Sequence, residues 1–183
     1  MSYKYVNPAQ ASLIPGSQRY PSYGYTLFEL IITLAIITIV LAPGIPQFSD
    51  FLKKTRLTLA SNTLHAAINL TRSEAIKRNC RVDLAPSDGR YWEKGWAIFI
   101  DNNNNQRPDE GDTLINTHEA LHSDIIITTS FTDTTKHYIA YNGSGRTQTN
   151  AGSQQVQAGT ISLTLNDYVH RIHIDFLGRA RMS

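Results

Sequence analysis

The distribution of apolar and polar positions divides the chain into three patterns. From Tyr25 to Ala42, 18 residues carry a single charge, Glu29. After Pro46, Leu57, Ala60, Leu64, Ile68, Thr71 and Ala75 step by three or four. That spacing predicts a helix to about Lys77 with one face on a core, the other carrying Lys53, Arg56, Arg72, Lys77 and Arg78. Past Arg81 the runs become short and alternating, with turn residues between them, which predicts strands near 81–85, 95–100, 124–130, 136–142, 160–165 and 169–176. Gly143-Ser144-Gly145 and Asn166-Asp167 are turn signals between the later ones. The expected class is α+β: a long N-terminal helix, half apolar and half amphipathic, packed on antiparallel sheets.

The apolar run has about the minimum length for crossing a bilayer core of roughly 30 Å. A cleaved secretory signal has an apolar core of ~7–15 residues followed by a small-residue cleavage site. Here the small residue, Gly24, precedes the run, and Pro43-Gly44-Ile45-Pro46 follows it. Lys4 and Arg19 stand before the segment against Lys53, Lys54 and Arg56 after it, a bias opposite to that expected for an exported C-terminal domain. Glu29 needs a partner, because an isolated charge at bilayer depth costs several kcal/mol.

Charge adds a second asymmetry. From Tyr25 onward, 15 basic residues balance 15 acidic ones, yet Lys53 to Arg81 carries a net +6, Val82 to Thr135 a net −7 and the tail from Lys136 a net +3. Such blocks are solvated faces or contacts for a charged partner. Cys80 is the only cysteine, which excludes an intramolecular disulfide and a cysteine metal cluster and leaves it as a half-buried packing residue.

The residues Gly24-Tyr25-Thr26-Leu27-Phe28-Glu29-Leu30 resemble the type IV prepilin signature. The resemblance implies cleavage after Gly24 by the prepilin peptidase, N-methylation of Tyr25 as the mature N-terminus, and Glu29 as the fifth mature residue. In a filament the methylated amine would be the partner of that carboxylate, and Pro46, the 22nd mature residue, would permit a kink. Arg72-Ser73-Glu74-Ala75-Ile76-Lys77-Arg78-Asn79, Gly95-Trp96-Ala97-Ile98-Phe99-Ile100-Asp101 and Ile174-Asp175-Phe176-Leu177-Gly178-Arg179-Ala180-Arg181 narrow the resemblance to the FimT/GspH family of minor pilins and H-type pseudopilins. It implies a pilin-like fold divided into a leader (1–24), a transmembrane helix half (25–46), an amphipathic helix half (47–80) and a β-rich periplasmic domain (81–183). The protein would sit in the inner membrane with a single pass, then reach the cell surface in the pilus, with major and minor pilins as partners.

Two motifs suggest metals. In the loop 101–112, Asp101, Asn103, Asn105, Asp109 and Asp112 fall at calcium-ligand spacings, but Gln106 stands where an EF-hand needs glycine, and Asp112 replaces its bidentate glutamate. His118-Glu119-Ala120-Leu121-His122 spells the zinc-peptidase helix motif; Glu119 is the last glutamate, and Thr128 stands where the extended motif needs histidine. A membrane-anchored zinc hydrolase is therefore a remote alternative. His65, His137, His170 and His173 are expected to be structural. No phosphate loop, nucleophile elbow or paired-carboxylate motif is present, so the expectation is a non-enzyme with no metal and no cofactor.

Arg179 and Arg181, two apart in an extended tail, point to one side as two guanidinium forks. DNA-binding members of the FimT branch, which serve DNA uptake in natural transformation, carry a GRxR motif here, and Gly178-Arg179-Ala180-Arg181 fits it. The resemblance thus implies DNA contact through the phosphate backbone at Gly178, Arg179 and Arg181, with Arg146 and Lys136 as further candidates. The main alternative is an H-type pseudopilin of a type II secretion system, with other pseudopilins and secreted protein as partners.

Overall fold

The computed structural model describes residues 24–41, 44–135, 137–149 and 155–183, and the chain falls into two compact units, Met1–Gly44 and Ile45–Ser183. In the first, α1 spans Leu27–Leu41, and its apolar residues are exposed. Thr26 caps it: its Oγ1 accepts the backbone N–H of Glu29 at 3.2 Å. At 15 residues α1 is short, and no helix among the described residues is long and apolar enough to cross a membrane.

The second unit begins within α2, Gly44–Arg78, whose first turn holds Pro46, where a missing N–H leaves no helix bond unmade. Leu57, Ala60, Ser61, Leu64, Ala67, Ile68, Thr71 and Ala75 form its buried stripe. The hydroxyls of Ser61 and Thr71 bond back to the carbonyls of Leu57 and Ala67, so neither is orphaned inside the core. Asn79 ends the helix in the left-handed region at φ 50°.

Among the described residues eight strands follow: β1 (Val82–Pro86), β2 (Trp96–Ile100), β3 (Thr113–His118), β4 (Ile126–Phe131), β5 (Ile139–Tyr141), β6 (Gly159–Leu165), β7 (Tyr168–Ile174) and β8 (Ala180–Met182). They form two antiparallel four-stranded sheets, ordered β3-β2-β1-β5 and β4-β6-β7-β8. One cluster of buried side chains joins the α2 stripe to the inner faces of both, including Leu64, Leu84, Ile98, Leu163 and Ile172. The opposite face of the first sheet is covered too, with Ala85, Ala97, Phe99, Tyr138 and Ala140 in a smaller cluster. This second cover explains why β1 is buried throughout rather than alternating.

Inside that smaller layer lies Asp83, fully buried. Arg81 reaches it with two hydrogen bonds of 2.7 Å and donates a third, at 3.1 Å, to the Asn104 side chain in the 101–112 loop. Burial outweighs the arginine and pushes the Asp83 carboxyl up to about 6.

Two strands were not anticipated. β3 is mostly exposed and carries a bulge, with Asn116 opposite Ile98 and Leu114 opposite Phe99. β8 has three residues and exists through its pairing with β7. In turn β7 ends at Ile174 rather than 176, because Asp175 closes a turn: its Oδ1 accepts the N–H groups of Leu177 and Arg179, both at 2.9 Å.

The zinc-motif residues do not share a helix face. His118 ends β3, its ring stacked on Trp96 at 4.2 Å between centroids, and His122 lies beyond the strand, 3.2 Å from the Arg56 guanidinium. Gly95 sets this geometry, since a Cβ there would meet the His118 carbonyl at 2.3 Å. In the 101–112 loop the carboxylates are turned on the loop itself. Asp101 accepts the N–H groups of Asn105 and Gln106, Asp109 the side chains of Asn103 and Asn105, and Asp112 the N–H groups of Asn102 and Asp109. Among the described residues no group of three or more His, Cys, Asp or Glu side chains is arranged to hold a metal ion.

Candidate nucleic-acid interface

The C-terminal basic segment is held where the end of α2, the turn after β5 and the β7–β8 turn meet. The α2 end is set against Gly143, whose Cβ, if present, would meet Asn79 Oδ1 at 2.6 Å. The turn itself is closed by Asn142, whose side-chain oxygen accepts from Ser144 and from the backbone N–H of Arg146. Gly145, at φ 74°, packs on Ile76 and on Arg72 Nε, 3.3 Å from where its Cβ would stand.

Gly178, in the β7–β8 turn, packs against the turn after β5. It is buried at φ 75°, and a Cβ there would meet Tyr141 at 2.8 Å, the Gly145 carbonyl at 3.0 Å and the Thr147 nitrogen at 3.1 Å. Its carbonyl accepts the Tyr141 hydroxyl at 2.8 Å. Gly178 therefore shapes the backbone that presents the arginines and is itself buried. Burial pushes the Tyr141 phenol up, keeping it a donor.

Arg179 and Arg181 are exposed, on either side of Ala180. Both border a shallow depression of about 520 Å³ that is also lined by Thr160, His173, Asp175 and Phe176. Arg179 Nε donates to Asp175 Oδ2 at 2.9 Å. Asp175 is held below the usual carboxylate range, first by the Arg179 backbone N–H and then by the Arg179 side chain. His65, on α2, places its Nε2 3.2 Å from the Ala180 carbonyl, tying the strand to the helix between the two arginines.

Of the other candidates, Arg146 is exposed, and the backbone on either side of it packs against Gly178. Lys136 lies outside the described residues. Arg72 joins this locus although its helical position suggests only a solvated face. It makes no ion pair among the described residues, whereas Lys77 and Arg78 are paired with Glu74 at 3.4 and 2.7 Å. No spacing in the sequence links Arg72 to a turn more than seventy residues later.

At the other end of the chain, Gly24 and Tyr25 precede α1 and are exposed, and Glu29 lies in its first turn. Among the described residues a Cβ on Gly24 would meet nothing within 4 Å, so they place no demand for glycine there.

Two family matches cover residues 20–45 and 60–178. Residues 20–45 match the prokaryotic N-terminal methylation motif. The pilin-like protein PilA1 of Thermus thermophilus is 33% identical over 96 residues, covering 52% of this chain and 58% of that protein. A fimbrial protein of Pseudomonas aeruginosa is 36% identical over 69 residues, 37% of this chain and 45% of its own length. The chain thus spans about half the length of these relatives. Among solved structures, the type IV minor pilin FimU of Pseudomonas aeruginosa superimposes with a TM-score of 0.56 at 16% identity, over 73% of this chain and 92% of that one. That likeness establishes the pilin-like α+β fold. Residues 60–178 match the Type II transport protein GspH, and the chain belongs to that family of pilins and pseudopilins, which are structural proteins and not enzymes.

Proposed function

We propose that this protein is a minor type IV pilin that primes or caps the pilus and binds DNA without sequence preference for uptake in natural transformation. Its N-terminal methylation motif supports cleavage after Gly24 and methylation of Tyr25 by the prepilin peptidase. On this reading residues 1–24 are the leader, residues 25–46 hold the subunit in the inner membrane before assembly, and residues 47–183 face the periplasm and later the cell surface. Glu29 would dock on a methylated N-terminus within the filament. A glycine that the fold does not require fits a residue retained for the peptidase.

The observation that carries DNA binding is the convergence of Arg179 and Arg181 on one depression, with Arg146 and Arg72 on adjoining turns of backbone. Guanidinium groups at an exposed edge suit phosphate contact, which is indifferent to sequence and dominated by counterion release. Duplex DNA titrated against the full chain in detergent tests this. Arg179→Ala/Arg181→Ala should weaken binding about tenfold or more at low salt and flatten its salt dependence. Wild-type affinity in that variant would overturn the assignment.

The second reading, an H-type pseudopilin of a type II secretion system, is favoured by the match to the Type II transport protein GspH. Deleting the gene should then abolish secretion and spare DNA uptake, whereas the minor-pilin reading expects the reverse.

A further inference from the structure

The register of the second sheet defines its outer face. Ser130, Thr160, His173 and Arg181 stand in one row across β4, β6, β7 and β8. Thr128, Ser162 and Arg171 form the next row, which Ser183 completes through its backbone pairing with Arg171 at 2.9 and 3.1 Å. The alternate residues Ile127, Ile161, Leu163, Ile172 and Ile174 are buried, so both rows point away from the core. The two rows hold five hydroxyl side chains, one imidazole and two guanidinium groups, and no Asp or Glu side chain.

The face is organised as well as basic. Thr160 Oγ1 lies 2.9 Å from His173 Nδ1, and Ser183 Oγ lies 3.2 Å from His173 Nε2. Arg171 is exposed and makes no ion pair among the described residues. The nearby carboxylate, Asp175, is committed to Arg179 at the edge.

We propose that this outer face is a second DNA-contacting surface, continuous with the Arg179 edge, on which Arg171 is the principal additional phosphate contact. The inference rests on the DNA-binding reading above. Neighbouring strands lie about 4.8 Å apart and residues two apart on one strand about 6.8 Å, so Arg171 and Arg181 stand diagonally within side-chain reach of successive phosphates. Serine and threonine hydroxyls donate to the remaining phosphate oxygens. A protein partner would need an apolar centre on this face. The large exposed apolar side chains here lie at its two ends, Ile126 and Val169 at one and Phe176 beside the Arg179 edge at the other, and leave its centre polar. Spread over four strands, the donors suit an extended polyanion better than a single small phosphate.

The test is a salt titration of duplex DNA binding to the full chain in detergent. It compares wild type, Arg171→Ala, Arg171→Lys, Ser162→Glu and the Arg179→Ala/Arg181→Ala double variant. Arg171→Ala should lower affinity about three- to tenfold at low salt and reduce the slope of log K against log salt by about 0.9. Arg171→Lys should keep most of both, and Ser162→Glu, which sets a carboxylate opposite Arg171, should weaken binding at least as much as the alanine. Wild-type affinity and slope in Arg171→Ala and Ser162→Glu, with binding lost in the double variant, would overturn this surface and leave the Arg179–Arg181 reading intact. No DNA binding by the wild type would overturn both. Loss of filament incorporation in Arg171→Ala with unchanged DNA affinity would assign the face to a neighbouring subunit and overturn the proposal.

Discussion

Tyr141 donates its hydroxyl to the carbonyl of Gly178 at 2.8 Å, joining the first sheet to the turn that carries the basic tail. The bond is buried, and the ring lies where any side chain on residue 178 would go. Tyr141→Phe should cost about 1–3 kcal/mol by leaving that carbonyl unpaired. Gly178→Ala should cost more than its size suggests, because it combines a left-handed backbone with contacts of 3.0 Å or less. Urea unfolding of both variants checks the order. Equal stability of Gly178→Ala and wild type would refute the packing argument.

On the DNA-binding reading proposed above, Asp175 would compete with phosphate for Arg179. The Arg179 and Leu177 hydrogen bonds hold the Asp175 carboxyl below its ordinary value, which favours the charged form opposite Arg179. Asp175→Asn keeps an acceptor for the turn and removes the charge. It should tighten DNA binding by about two- to fivefold at low salt, with little effect at high salt. Anisotropy titrations at two salt concentrations measure this, and weaker binding in the variant at low salt would contradict it.

Asp83 reverses the usual pH trend of a carboxylate. Its folded value is raised to about 6 by burial, so between about pH 4 and 6 the folded state holds a proton that the unfolded state releases. The contribution is complete below the unfolded value and disappears as pH rises through the folded one. Measured against Asp83→Asn, wild type should lose about 2–3 kcal/mol between pH 4 and pH 7, with no further change above. Denaturation of both proteins across that range decides it, and a difference that grows with pH would reverse the sign.

The Trp96–His118 stack makes the histidine a packing residue. His118→Ala should cost about 0.5–1.5 kcal/mol. Chelator treatment should leave the melting of the wild type unchanged, and metal analysis of wild type, His118→Ala and His122→Ala should give the same baseline. Stoichiometric zinc in the wild type, lost in either variant, would restore the hydrolase reading.

Gly24 meets no steric demand from the described residues, so Gly24→Val should leave the Ile45–Ser183 unit as stable as before while blocking cleavage. Intact mass of protein recovered from membranes containing the peptidase distinguishes the two forms. Processing of the valine variant at the wild-type rate would place the cleavage site elsewhere.

The α2 stripe was legible from spacing, because a helix repeats every 3.6 residues and its core contacts are periodic whatever it packs against. Leu57, Ala60, Leu64, Ile68, Thr71 and Ala75 all lie in the core. Six strands were legible for the same local reason, their β-rich runs being bounded by turn residues. β3 and β8 were not: β3 is an exposed, bulged edge, and β8 is three residues that hold strand form through bonds to β7. The GRAR motif and the prepilin signature could be read as strings, being contiguous. The meeting of Arg72, Arg146 and Gly178, and the rows that set Arg171 beside Ser162 and Arg181 beside His173, depend on strand register and on a glycine close enough to touch a distant turn. Local periodicity specifies which residues are buried within an element. Which exposed charges share a surface is decided by non-local pairing, where one step of register moves every side chain to the other face.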